Sequence, residues 1–151
     1  KAKLDENFVA ENVRQIIELL GVSASAEVSH EGNSFFVDIE SVDSPLLIGK
    51  YGTNLESLQF ILAIRLKTLT GSDDFEIFVD VDNWRKARED KLKKMATTVA
   101  EKVTETKNPE SIYNLRPSER KVIHAALTDH PAVTTISEGE EPNRYLVVKP
   151  R

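Results

Sequence analysis

Two stretches of this chain of 151 residues combine residue types that can hold a phosphate. The first is Gly49-Lys50-Tyr51-Gly52. Glycines flanking such a loop let main-chain N–H groups approach an anion closely, since neither has a side chain to hold the ligand off. Lys50 supplies a mobile positive charge, and Tyr51 can stack on a base or pack. The second is Glu119-Arg120-Lys121-Val122-Ile123-His124. Arg120 and His124 stand four apart, so a helix puts them on one face. Arginine can grip a phosphate with two parallel hydrogen bonds, and histidine can donate one or stack on a base. Arg116 and Lys121 can extend that patch, as can Arg144 and Lys149 if the closing strand turns them the same way. Plainer explanations stand beside these. A GxxG can be a corner between helices, Tyr51 can simply be solvent-exposed, and His124 can be a half-buried histidine satisfied by a carboxylate or carbonyl.

The elements that position these residues are readable from periodicity. Phe8, Val9, Val13, Ile16, Ile17 and Leu20 recur at helical spacing until Gly21 stops them. Ala26 and Val28 alternate with polar residues, and a Glu31-Gly32-Asn33 turn leads into Phe35, Val37 and Ile39, which predicts a hairpin with one buried face. Ser44-Pro45 opens a short helical turn, with serine as cap and proline first. After the glycine loop, a helix runs from about Asn54 to Thr70. Its stripe of Leu55, Leu58, Leu62, Leu66 and Leu69 is widened by Phe60, Ile61 and Ile64, which predicts burial on two sides. A third strand covers Phe75 to Val81. A long helix follows from Asn83, its expected cap, to about Lys107. Arg85, Lys86, Arg88, Lys91, Lys93 and Lys94 make its outer, solvated face. Beyond Asn108-Pro109 the pattern predicts an extended piece at Ser111 to Tyr113, a helix from Pro117 to about Thr128, and strands at Val133–Ser137 and Tyr145–Lys149.

Composition narrows the function. The chain is 40% hydrophobic and 30% charged and has no cysteine, which excludes disulfides and thiolate metal sites and fits a reducing cytoplasm. The longest wholly apolar run, Phe60 to Ile64, is far too short to insert in a membrane. The first residues lack the apolar core of a signal peptide, and without an initiator methionine a trimmed fragment is expected. Net charge is −5, but it is uneven: residues 1–82 hold 6 Lys and Arg against 15 Asp and Glu, whereas residues 83–151 hold 14 against 10. Two domains with different surfaces are expected, the basic one better suited to phosphate. Glu119, Arg120 and His124 include acid–base types, yet no nucleophile is arranged beside them. P-loop, zinc and Rossmann signatures are missing, and His30 and His130 have no partners at metal spacing. No enzyme, metal or cofactor is expected.

With the glycine loop placed in that order, residues 5–82 resemble a bacterial-type KH domain, the matching residues being Ile48-Gly49-Lys50-Tyr51-Gly52 and Leu55. Glu119 to His124 resembles the Arg-x-x-x-His signature of a small domain associated with single-stranded nucleic acids. Ser137-Glu138-Gly139-Glu140-Glu141-Pro142, Arg144 and Val147-Val148-Lys149-Pro150 resemble that domain's closing hairpin. The order KH, linking helix, Arg-x-x-x-His is similar to the Jag family, the SpoIIIJ-associated proteins also called KhpB or EloR. Members often carry an additional N-terminal domain and linker that this sequence does not include. The resemblance implies an α+β protein: a two-layer αββααβ KH domain over residues 1–82, joined by a long helix to a small α/β Arg-x-x-x-His domain within residues 83–151. It also implies a GxxG clamp on about four backbone nucleotides. The implied role is a non-catalytic, cytoplasmic protein binding single-stranded RNA, with single-stranded DNA left open. Post-transcriptional regulation tied to cell elongation, division or envelope growth is implied, with a second small KH protein as partner. The expected nucleic-acid-binding residues are Gly49, Lys50, Tyr51, Gly52, Arg116, Arg120, Lys121, His124 and Arg144. The competing reading is a protein–protein adaptor whose KH domain is degenerate.

Overall fold

A computed structural model of the chain describes residues 2–151. The chain divides into two compact units, Lys1–Arg85 and Lys86–Arg151. In the first, α1 (Glu6–Leu20) starts where the Asp5 carboxylate accepts the Phe8 N–H at 2.8 Å, and ends at Gly21 with φ 72°. The hairpin of β1 (Ala24–Glu31) and β2 (Ser34–Ser41) follows, then α2 (Ser44–Ile48), a single 3-10 turn (Lys50–Gly52), α3 (Thr53–Thr70) and β3 (Glu76–Val81). The sheet order is β1-β2-β3. β1 and β2 are antiparallel, while β3 runs parallel to β2, which requires the crossover that α2 and α3 provide. One face of this sheet, Phe35, Val37, Ile39, Ile77, Val79 and Val81, packs on Val9, Val13 and Ile17 of α1 and on Leu55, Leu62 and Leu66 of α3. The two helices are also pinned by polar groups. Arg65 donates to Asn12 and Gln15, both at 2.6 Å, and buried Asn12 donates to the Phe8 carbonyl at 2.8 Å, so no lone pair is stranded there.

Two expectations fail in this unit. The apolar surface of α3 is buried on one side only: Phe60, Ile61 and Ile64 are 59%, 55% and 50% exposed. At 3.6 residues per turn they fall on the side of the helix away from the Leu55–Leu62–Leu66 stripe that meets the sheet, and α1 meets α3 through the Arg65 clamp instead. Ser44 is not the cap of α2 either. Asp43 holds that position, and its carboxylate accepts the Ser23 N–H at 3.0 Å.

The second unit is built on α4 (Trp84–Thr106), whose first two residues belong to the first unit. β4 (Glu110–Ile112), α5 (Pro117–Leu127), β5 (Val133–Glu138) and β6 (Tyr145–Pro150) follow, in an antiparallel sheet of order β4-β6-β5. Leu92, Ala96, Ala100 and Val103 of α4 and Ile123 and Leu127 of α5 pack on Ile112, Val133, Leu146 and Val148. The expected solvated face of α4 is only partly so. Lys91, Lys93 and Lys94 are exposed or half-exposed, but Arg85 donates to the Val79 carbonyl, Glu56 and Gln59, and Arg88 donates to Glu119 at 2.7 Å inside the second unit. Among the described residues no helix is long and apolar enough to cross a membrane.

The one-sided burial of α3 has a direct test in urea unfolding. Leu62→Ala should cost about 2–5 kcal/mol, whereas Phe60→Gln should change stability by no more than about 0.5 kcal/mol. Equal losses would mean that the outer side of α3 is core.

Candidate nucleic-acid interface

The glycine loop is held by contacts within its own unit. Gly49 has φ 72° and ψ −174°, a region essentially reserved for glycine, and a Cβ there would lie 2.5 Å from the Asn54 side chain, which donates to the Leu46 carbonyl at 2.8 Å. Gly52, at φ 78°, would place a Cβ 2.3 Å from the Trp84 ring. Both glycines are therefore required by the fold, whatever binds. The loop presents to solvent Lys50, whose ammonium lies 5.5 Å from the Tyr51 ring centroid, and part of Tyr51 itself, a non-glycine residue at φ 57°. The same loop is the start of α3, where no side chain caps the helix, so the positive end of its dipole lies beside Lys50. Glu56, the acidic residue of that first turn, is paired with Arg85 at 2.8 Å.

In the second unit, α5 and the edge strand β5 enclose an open groove of about 480 Å³. Arg120, Lys121, His124 and Arg144 line it with Pro117, Thr135, Ile136 and Ser137. Lys121 is exposed and makes no ion pair among the described residues. His124 is exposed too, and its Nδ1 meets the Thr135 hydroxyl rather than a carboxylate or carbonyl. Arg144 donates to the Gly139 carbonyl at 2.7 Å and the Ser137 carbonyl at 3.4 Å, keeping its charge at the groove while bracing the β5–β6 hairpin. Arg120 differs from expectation. Only 6% exposed, it donates to the Leu115 carbonyl at 2.9 Å, to the Arg144 carbonyl at 3.4 Å and to Glu141. Its donors shape the groove instead of standing ready for two parallel bonds to a phosphate. Arg116 heads α5 and does not line the groove; its Nη2 is 3.5 Å from Glu119. Lys149 also lies elsewhere: it pairs with Thr134, on the face of β5 opposite Thr135.

Beneath α5, Glu119 is almost wholly buried and takes Arg88 Nε at 2.7 Å and the Arg116 backbone N–H at 3.1 Å. Burial pushes its carboxyl up, but the hydrogen bonds from Arg88 and Arg116 and their charges outweigh it and hold the group below the usual 4.5. Its acid–base chemistry is spent on structure. Neither the Arg88–Glu119 pair nor the seat of Trp84 on Gly52 was foreseen from residue types and spacing. The only tryptophan of the chain, set just after a strand, was the available signal for the second.

Residues 90–150 match the family model of the R-x-x-x-H domain, the domain named for an arginine and a histidine with three residues between them. Relatives extend over both units. The chain is 34% identical to the RNA-binding protein KhpB of Clostridium symbiosum over 85% of its own length and 58% of that protein's. It is 32% identical to the protein of the same name from Lactiplantibacillus plantarum, over 88% and 41%. The corresponding protein of Bacillus subtilis is 29% identical over 90% and 66%. The chain thus spans between 41% and 66% of the length of these relatives.

Two outcomes follow for the scaffold of the interface. Gly52→Ala should destabilise the first unit by about 1–3 kcal/mol, from the clash with Trp84 and the left-handed backbone, and unfolding followed by Trp84 fluorescence reads it directly. Glu119 stabilises the second unit above the ordinary carboxylate range, and that contribution disappears as pH falls through its lowered folded value. Glu119→Gln should therefore cost about 3–5 kcal/mol at pH 7 and flatten the loss of stability below about pH 4, checked by urea melts across pH. Parallel pH profiles would remove Glu119 from the account.

Proposed function

We propose that this chain is a non-catalytic, cytoplasmic protein that binds single-stranded RNA through two modules. One is a bacterial-type KH module using Gly49, Lys50, Tyr51 and Gly52; the other is the Arg-x-x-x-His module using Lys121, His124 and Arg144, with Arg116 and Arg120 supporting them. The observation that carries this reading is the α5–β5 groove, where three cationic or protonatable side chains converge beside an edge strand and Thr135 and Ser137 add hydroxyls. The order αββααβ with a glycine loop opening α3 supports the KH assignment, as do relatives named as RNA-binding proteins. Joining two weak sites on one chain raises affinity through effective concentration, provided one strand can reach both. By the same family resemblance the role is post-transcriptional regulation linked to cell elongation and division, with a second small KH protein as partner. The exposed side of α3 at Phe60, Ile61 and Ile64 supports a protein partner for the first unit.

One observation favours the adaptor reading: both loop glycines are accounted for by Asn54 and Trp84, and residues 1–82 carry 15 acidic side chains against 6 basic ones. Titrating short oligouridine and oligothymidine at about 50 and about 200 mM salt separates the two. Three or four phosphate contacts should give a slope of log K against log salt of about −2 to −3. Lys50→Glu and Lys121→Glu, both exposed and so nearly neutral for folding, should each weaken RNA binding, with losses adding in free energy. A flat salt dependence with both variants binding like the parent would leave the adaptor.

A further inference from the structure

The face of the β1–β2–β3 sheet turned away from α1 and α3 has a composition that folding does not explain. Its register sets Ser29, Phe36 and Phe78 in one cross-strand row and Glu27, Asp38 and Asp80 in the next. Phe36 and Phe78 are 37% and 41% exposed, and their rings stack at 5.4 Å with an interplanar angle of 16°. Asp80 is occupied, accepting the backbone N–H groups of Val81 and Arg85. Glu27, Asp38, Glu40 and Glu76 are exposed and make no ion pair among the described residues. None of the outward positions of the three strands is lysine or arginine. Like charges directly opposite each other destabilise a sheet, and Glu27 faces Asp38. A stacked aromatic pair left in water beside uncompensated carboxylates therefore costs the isolated unit stability at two kinds of position at once. A bound partner that covers the rings and neutralises the carboxylates removes both costs.

We propose that this sheet face docks an arginine-rich protein segment. The guanidinium group is the cation whose chemistry fits: its plane stacks on the Phe36–Phe78 pair, while its edge forms paired hydrogen bonds to the neighbouring carboxylates. A lysine ammonium supplies the charge without the planar stack. A purely apolar partner would have to strip water from the carboxylates without replacing it. A nucleic-acid strand is repelled by the same groups, so this surface is separate from the RNA interface and leaves it open. The proposal stands on the sheet alone and does not depend on RNA binding.

The test uses the full chain with an oligoarginine peptide and an oligolysine peptide of equal length, followed by amide chemical shifts and by titration. Oligoarginine should shift the amides of the outward positions around Phe36, Asp38 and Phe78, and should bind about three- to tenfold more tightly than oligolysine. Phe36→Ser combined with Phe78→Ser should remove that preference. Glu27→Gln combined with Asp38→Asn should weaken oligoarginine binding about tenfold, whereas Glu101→Gln with Glu105→Gln, which removes the same charge from α4, should leave it within about twofold. Equal affinity for the two peptides, equal losses in the two charge variants, or shifts confined elsewhere would overturn the proposal. So would self-association of the chain that the Phe36 and Phe78 changes abolish, because the occupant would then be a second copy. If the double serine variant does not fold, the arginine-over-lysine ratio on the unaltered chain decides.

Discussion

The buried guanidinium of Arg120 is the constraint on which the second unit's groove depends. A nearly inaccessible charge survives only where its donors are satisfied, and here they reach the loop before α5 at Leu115 and the closing hairpin at Arg144 and Glu141. Those bonds fix the distance between α5 and the hairpin, and so the width of the space in which Lys121, His124 and Arg144 meet. The Arg88–Glu119 pair performs a related task at the other end of α5, tying its first turn to α4. Basic residues in this unit thus divide into two groups. Buried ones are spent on shape, and exposed ones carry whatever charge a ligand meets.

A similar division holds in the first unit. The seat of Trp84 against Gly52, together with the bonds from Arg85 to Val79, Glu56 and Gln59, locks the glycine loop to the start of α4. The loop is rigid for structural reasons, and pairing Glu56 with Arg85 also keeps a carboxylate from competing at the N-terminus of α3. What remains for a strand of nucleic acid is Lys50, Tyr51 and the uncapped helix end. The rest of the unit's surface is acidic, and it is concentrated on the sheet face that carries Phe36 and Phe78.

Much of this architecture was legible in the amino-acid sequence, because alternation and helical spacing report which faces are buried. The hairpin around Gly32, the strand at Ile77 and Val79, and the helix carrying Arg120 and His124 fall where periodicity puts them. Periodicity does not say whether an apolar side finds a partner, which is why Phe60, Ile61 and Ile64 read as core yet lie in solvent. Side-chain pairing across long stretches of chain was equally hidden. Arg88 looked like one more surface cation until the fold brought Glu119 to it, and Arg120 looked like a free hand until Leu115, Arg144 and Glu141 were seen to occupy it. The candidate site was found by residue type. The division of labour within it needed three dimensions.

The most direct test of the two-module account is a residue-resolved map of RNA contact, from amide and side-chain chemical shifts recorded while a single-stranded oligouridine is added to the full chain. The account predicts perturbations at Lys50, Tyr51 and Thr53 and, in the same titration, at Lys121, His124, Thr135 and Arg144, with the Phe36–Phe78 sheet face unmoved. Perturbations centred on that acidic sheet, or none in either the glycine loop or the α5–β5 groove, would contradict it.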